Sequence, residues 1–409
     1  MFNSDGRKIL IFSVFISLII GFSGGFWFAG GHPESNLPII RELINRDIGQ
    51  PDKLDFSLFW TVWNTLNEKY VDPGKLDTQK MLYGAISGLV DSLGDPYTVF
   101  LEPKISEKFQ EEISGAFGGV GMEIGKRNNA LVVIAPLKDT PASRAGIKAG
   151  DKILKVDGQS TAGLSVEEAV NLIRGKKGTK VVLTLAGADN GKTREVEVVR
   201  DTIKIPSVKW ELINNDTAYL QIYSFNQNID ADFEKAAKEI LKSPATKLIV
   251  DLRNNPGGLL DSAINLAGWF VNENKIITMQ EFRDGTKEEF RSNGNGALRV
   301  YRTLFLINKG SASASEILAG AVHDNLGIQL VGEKSFGKGS VQQLEDLVGG
   351  ASLKVTVAKW LTPKGRSITD LGIEPDVEVK LPEEPKEGEI EIGKPGKDPQ
   401  LDKALELLK

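Results

Sequence analysis

The chain has 409 residues, 41 % of them apolar, a formal charge of −5 with both signs mixed along its length, and no cysteine. That size and composition suit roughly two to four domains with real cores, and the absence of a basic stripe with interleaved aromatics argues against a nucleic-acid partner. The missing thiols exclude disulfides, thiolate metal sites and a cysteine nucleophile.

Ile9 to Gly31 carries no charge and is dominated by Ile, Leu, Phe, Val and small residues. About 20 such residues in a helix span the ~30 Å hydrocarbon core of a bilayer. Arg7 and Lys8 precede the run, so the positive-inside rule keeps Met1 cytoplasmic and exports the chain beyond Gly31. Length favours an uncleaved transmembrane anchor within residues 1–31; Gly24, Gly25, Ala29 and Gly30 also suit cleavage of a signal peptide. Both readings place the bulk of the chain outside the cytoplasmic membrane of a bacterial cell, with residues 9–31 as its membrane contact. Residues 32–53 are polar and proline-punctuated, a linker. Residues 54–112 read as a helical region, with Phe59, Val62, Trp63 and Leu66 at helical spacing and a turn at Asp72-Pro73-Gly74.

Between residues 113 and 202 the pattern changes to short β-runs with glycine turns. A glycine loop, Phe117 to Gly121, runs into a strand at Met122-Glu123-Ile124. Leu131 to Pro136 and Asp151 to Val156 read as further strands, the latter ending in a hairpin-type Asp157-Gly158. Ser165 with Glu168 three residues later is a capping box opening an amphipathic helix to Arg174. The order of these parts resembles a bacterial PDZ domain, which implies a receptor for peptide tails. A tail adds to an open strand edge, and backbone N–H groups of a glycine loop converge on its terminal carboxylate. Gly118, Gly119, Val120, Gly121, Met122, Glu123 and Ile124 are the implied peptide-binding residues.

From residue 203 to about 380 the periodicity is α/β. Strands are expected at Ala218–Tyr223, Lys247–Leu252, Arg302–Ile307, Ile328–Gly332 and Ala351–Leu361, and helices at Ile229–Leu241 and Leu259–Val271. A further helix runs from the serine segment to about Asn325. The continuous apolar strands suit a sheet covered on both faces. Residues 381–409 are a charged, proline- and glycine-containing linker ending in a short helix, Leu401 to Leu408.

Two segments carry the chemistry. Lys309-Gly310-Ser311-Ala312-Ser313-Ala314-Ser315-Glu316 lies where a strand turns into a helix, so unpaired N–H groups and the helix dipole favour a developing oxyanion there. The N–H of Ala314 is one such donor, and spacing alone does not choose among Ser311, Ser313 and Ser315 as nucleophile. The loop Asn254-Asn255-Pro256-Gly257-Gly258, between a strand end and a helix start, offers a second donor. The chain has two histidines. His323 lies ten residues beyond Ser313, roughly 15 Å along a helix, and His32 flanks the apolar N-terminal run, so a Ser-His-Asp triad is excluded. Lys338, between Gly337 and Gly339, is the better candidate; it works only if removal from water lowers its pKa. Gln342, four residues on along a strand, is placed to hold its amine.

These segments, with Asp251–Leu259, Leu361–Ile368 and Gly372–Asp376, resemble the C-terminal processing proteases, or tail-specific serine proteases, from about Phe56 to the C-terminus. The resemblance implies Ser313 as nucleophile, Lys338 as base and Gln342 as its positioner. It also implies oxyanion donors at Ala314 and the Gly257-Gly258 pair, Gly258 foremost. It implies an α/β core of the crotonase and Clp-protease type with the β-rich PDZ domain inserted, and no metal or organic cofactor. The expected activity is endopeptidase cleavage of exported proteins captured by their free C-terminal tails. Two rivals are a catalytically silent, membrane-tethered PDZ scaffold and crotonase-type thioester chemistry. A homo-oligomer is left open.

Overall fold

The computed structural model describes residues 55–127, 130–137, 139–187, 193–204, 206–382 and 390–409. The expected membrane segment at residues 9–31 and the linker at 32–53 lie outside these residues. Among the described residues no helix is long and apolar enough to cross a membrane. Two compact units divide the chain at Asp77 and Thr78. In the first, Asp55 Oδ1 accepts the Ser57 N–H at 2.8 Å and the helix Ser57–Lys69 follows, then a 3-10 turn at Pro73–Lys75.

The second unit is built around a six-stranded sheet in the order Val208–Ile213, Thr217–Ile222, Lys247–Asp251, Arg302–Ile307, Leu330–Gly332 and Val377–Glu378. Its first pair is antiparallel and the rest are parallel. The unbroken apolar runs fill both faces because side chains alternate along a strand. Leu248, Val250, Phe305 and Ile307 join one core, under the helices Ile229–Leu241, Leu260–Ala267 and Ala314–Leu326. Ile249, Leu304 and Leu306 join the other, closed by Leu401, Ala404 and Leu408. The C-terminal helix Pro399–Leu407 is therefore part of the fold. Arg253, fully buried, ties it down by donating to Asp251 on one side and to Asp398 on the other, at 2.6 and 2.7 Å.

An antiparallel sheet lies beside this one. Val99–Leu101, Ser352–Leu361, Ile276–Phe282 and Lys287–Arg291 form it in that order, and Ser340–Asp346 pairs with Ser352–Leu361. Ile276–Phe282 and Lys287–Arg291 are not legible in the sequence pattern. The second is an edge strand of sequence Lys-Glu-Glu-Phe-Arg, mostly exposed, and charged edges carry no hydrophobic period.

Residues 116–204 form a β-rich module with its own core of Val133, Ile153, Ala169, Val181, Leu183 and Leu185. The helix Val166–Ile173 opens with the expected capping box: Ser165 N–H donates to Glu168 Oε2 at 2.7 Å and Glu168 N–H to Ser165 Oγ at 3.1 Å. The glycine loop differs from expectation. Ala116–Gly119 is itself a strand, paired with Asp201–Lys204, and only Val120 and Gly121 make the bend into Met122–Arg127. Gly118 is there for close approach, since a Cβ on it would lie 2.1 Å from the carbonyl oxygen of Gly175.

Candidate active site

The strand Arg302–Ile307 ends in a turn that delivers Ser313 as N-cap of the helix Ala314–Leu326. Ser313 has φ 56° and ψ −117°, a conformation that costs a non-glycine residue about 1–3 kcal/mol and persists only when its surroundings impose it. They do. Asn254 and Asn308 exchange hydrogen bonds between the two loops at 2.9 Å, and Ala312 N–H donates to Asn255 O at 3.0 Å.

The same knitting separates the three serines. Ser311 Oγ donates to Leu252 O at 2.8 Å and Ser315 Oγ to Asn255 O at 3.0 Å, and both residues are fully buried. Ser313 instead lines an open cavity of about 650 Å³, shared with Gly257, Gly258, Lys338, Gln342 and Lys354.

The two oxyanion candidates of the glycine pair are not equivalent. Gly257 N–H donates to Asn255 Oδ1 at 2.9 Å, while the Asn255 amide nitrogen donates to Ile222 O at 2.8 Å. The Gly257 N–H is thus engaged with Asn255. Gly258 lies in the backbone ladder through its neighbours, with Phe225 N–H on Gly257 O at 2.9 Å and Leu259 N–H on Phe225 O at 2.7 Å. Its own N–H and that of Ala314 have no acceptor among the described residues. Glycine is required at both positions: φ is 93° at Gly257 and 142° at Gly258. A Cβ on Gly257 would sit 2.8 Å from Ser313 Cβ and from Ala314 N.

Lys338 enters the cavity from the loop before Ser340–Asp346. Its amine lies 5.3 Å from the centroid of the Tyr97 ring and makes no hydrogen bond to the Ser313 hydroxyl among the described residues. Burial lowers its pKa below the usual lysine range and the like charge of Lys354 lowers it further, against an opposing pull from Glu316. Gln342, expected on the lysine amine, donates to Ser340 Oγ at 2.7 Å and to Thr356 Oγ1 at 3.4 Å instead. A β-irregularity between Val341 and Gln342 turns the side chain toward its cross-strand partner Thr356.

Glu316 joins the nucleophile turn to the lysine loop. Its fully buried carboxylate accepts from Ser313 N–H (2.8 Å), Lys338 N–H (3.0 Å), Gly337 N–H (2.8 Å) and Ser335 Oγ–H (2.6 Å). Burial pushes its pKa up, and these donors, all suited to the ionised form, pull the other way. Residue types alone do not single out Glu316, although its place three residues after Ser313 is capping-box spacing. Nor do they single out Lys354 and Tyr97, whose nearness depends on long-range packing.

A second, smaller cavity of about 90 Å³ lies between the strand Met122–Arg127 and the helix Val166–Ile173, with Val120, Met122, Ile124, Val170 and Ile173 on its walls. Gly119 and Gly121 line it too, whereas Gly118 is paired in its strand and Glu123 is exposed. Phe117 and Arg174 line both cavities, the guanidinium carbon 3.9 Å over the Phe117 ring. The Ser313 hydroxyl, the Lys338 amine with its charge disfavoured and Gly258 line one cavity, and the Ala314 N–H follows Ser313 directly; these are the group types that acyl transfer without a histidine calls for.

Comparison with known proteins gives a consistent picture. Residues 216–379 match the model of peptidase family S41, residues 109–186 that of the PDZ domain, and residues 41–105 that of the activating protease CtpB N-terminal domain. The carboxy-terminal processing protease CtpA of Bacillus subtilis (strain 168) is 40 % identical over 309 residues, 76 % of this chain; the chain spans 66 % of that relative's length. The carboxy-terminal-processing protease of Bartonella bacilliformis is 35 % identical over 374 residues, covering 90 % of this chain and 85 % of the relative. Among solved structures, a putative S41 protease from Bacteroides fragilis superposes with a TM-score of 0.52 over 88 % of this chain and 98 % of its own. At 14 % identity that likeness speaks to the fold alone.

Proposed function

The chain belongs to peptidase family S41, the carboxy-terminal processing serine proteases, and carries a PDZ domain; from that membership we propose that it is an endopeptidase with Ser313 as nucleophile and Lys338 as base. Neutral Lys338 takes the hydroxyl proton as Ser313 Oγ attacks a peptide carbonyl, and the carbonyl oxygen becomes negative opposite the N–H groups of Gly258 and Ala314. The lysine then passes its proton to the departing amine. Water next attacks the acyl ester, giving up a proton to Lys338, which returns it to Ser313 Oγ as the ester bond breaks; the acid product loses its remaining proton to solvent as a carboxylate. Gln342, which lines the same cavity, keeps the role of positioning the lysine when the amine turns to Ser313. The observation that carries this reading is the meeting of Ser313, Lys338 and Gly258 at one cavity, with the unengaged Ala314 N–H next to Ser313 in the chain.

The substrate is a polypeptide with a free C-terminal tail. Its last residues pair with the strand Met122–Arg127, and its final side chain enters the apolar cavity beside the helix Val166–Ile173. Residues 9–31, uncharged and preceded by Arg7 and Lys8, support a single-pass anchor in the cytoplasmic membrane with the catalytic part outside the cytoplasm.

A model substrate assayed with and without its last three residues, with products mapped by mass, tests the function. Losing an apolar terminal residue is expected to lower kcat/KM by about 10-fold or more, since even one methylene in an apolar pocket is worth about 10–200-fold. No cleavage of either substrate would leave the silent-scaffold reading standing. Gly257→Ala tests the oxyanion geometry. The added methyl crowds Ser313 and Ala314, so kcat should fall by about 10²-fold or more while tail-peptide affinity, measured by fluorescence anisotropy, stays as it was.

A further inference from the structure

The motif Gly94-Asp95-Pro96-Tyr97-Thr98 has no part in the chemistry so far, yet it folds against the lysine. Asp95 organises a tight turn, accepting from Tyr97 N–H at 3.0 Å and from Thr98 Oγ–H at 2.6 Å. Thr98 Oγ1 accepts the Thr356 N–H at 3.0 Å, and Val99 pairs with Lys354, so the turn is stitched to the strand that also receives Gln342. The outcome is the Tyr97 ring 5.3 Å from the Lys338 amine, within cation–π range.

We propose that Tyr97 is a positioning residue for the base: its ring holds the Lys338 ammonium in a resting place, and loss of the proton frees the amine to turn to Ser313. The proposal rests on the reading of Lys338 as base. A ring quadrupole attracts an ammonium and gives a neutral amine no such attraction. The proton leaves to solvent water, the ammonium becomes an amine with a lone pair, and the tie to Tyr97 disappears in the same step. The amine then becomes the acceptor that the Ser313 hydroxyl needs. Proton loss and reorientation are thus one event, and the resting enzyme keeps its base off the nucleophile.

Every charged group around Lys338 enters this balance. Glu316, from the helix that Ser313 caps, favours the ammonium, and Lys354, from the strand Ser352–Leu361, disfavours it. Asp95 lies in the turn, and Asp370 in the loop whose N–H holds Gly337 O at 2.9 Å. Glu111, Glu112 and Arg174 stand on the cavity wall. Burial, with Asp370, Glu316 and Asp95, holds the Tyr97 phenol above its ordinary range, so the ring stays neutral while the lysine titrates.

The test replaces Tyr97 in the full chain by Phe, by Leu and by pentafluorophenylalanine. The last keeps the shape of the ring and reverses its quadrupole, so it reads the interaction even where Tyr97→Leu does not fold. Lys338 is titrated directly by NMR of ¹³Cε-labelled lysine, its signal identified by its loss in Lys338→Ala, and kcat/KM is followed against pH. Tyr97→Phe should retain the wild-type profile. The fluorinated variant should lower the Lys338 pKa by about half a pH unit or more, and raise kcat/KM about threefold below the limb, as expected for losing one cation–π contact. An unmoved Lys338 titration in the fluorinated variant overturns the proposal. Lys338→Ala separates the readings: full activity there sinks the base assignment itself, whereas an inactive Lys338→Ala with an unmoved fluorinated limb sinks only the role of Tyr97.

Discussion

Ser313→Ala and Lys338→Ala should each leave the chain folded and lower kcat toward a tail peptide by about 10⁴–10⁶-fold, with the double variant little worse than either alone. The two groups act in one step, so removing either removes the step; what survives comes from the two N–H donors and from peptide binding. Neither change should cost much stability. Ser313→Ala removes a hydroxyl at an open cavity, and Lys338 is half-buried with no ion pair to orphan among the described residues. Steady-state kinetics and thermal unfolding check both halves. A Lys338→Ala variant with wild-type kcat would remove the lysine from the mechanism, and full additivity in the double variant would mean that the two side chains act separately.

Glu316→Ala should combine a large kinetic loss with a large stability loss. Deleting the carboxylate orphans three buried or partly buried N–H groups and a hydroxyl at once, on Ser313, Gly337, Lys338 and Ser335. Breaking a buried charged network of this kind costs about 3–5 kcal/mol. The same contacts fix the Ser313 turn relative to the lysine loop, and a displacement near 1 Å at such a site costs about 10²-fold in rate. Glu316→Gln separates the two effects. Its amide oxygen satisfies Ser313 and Lys338, and Ser335 can rotate to accept from the new NH₂ group, which leaves chiefly the Gly337 N–H unpaired. One orphaned donor costs about 1–3 kcal/mol. Stability should rank wild type, Gln, Ala, with KM for the tail peptide nearly constant because the groove is untouched. Equal melting temperatures for wild type and Glu316→Ala would contradict this account of the carboxylate.

Much of the catalytic half can be read from residue types alone. The buried strands announce themselves as apolar runs, Lys247–Asp251 and Arg302–Ile307 among them. The poverty in histidine forces attention onto Lys338. Choosing Ser313 needs more, because Ser311 and Ser315 differ from it only in the carbonyl each hydroxyl reaches, Leu252 O and Asn255 O, and those lie on another loop. The unequal glycines obey the same logic. The Asn255 oxygen turns locally to the Gly257 N–H, but only the fold brings Ile222 O to the other end of that amide and so fixes which glycine stays free. The charged strand Lys287–Arg291 is hidden because its partners, not its own pattern, make it a strand. Gln342 goes to Ser340 and Thr356 because a local irregularity in the strand turns it, a shift of register that no alternation pattern reports. The docking of the helix Pro399–Leu407 is equally invisible, because its anchor is the buried pair Arg253 and Asp398, far apart in sequence.

The most direct test of a neutral lysine activating a serine is the rate at which a fluorophosphonate labels Ser313, located by peptide mass mapping, across about pH 5 to 9. Only the unprotonated amine can assist. Burial and Lys354 bring its pKa below the ordinary lysine value, so the neutral fraction should grow with pH within this range. The account predicts labelling confined to Ser313, rising with pH in the wild type and nearly absent in Lys338→Ala. Labelling that declines steadily from acid to base, or proceeds at the wild-type rate without the lysine, would contradict it.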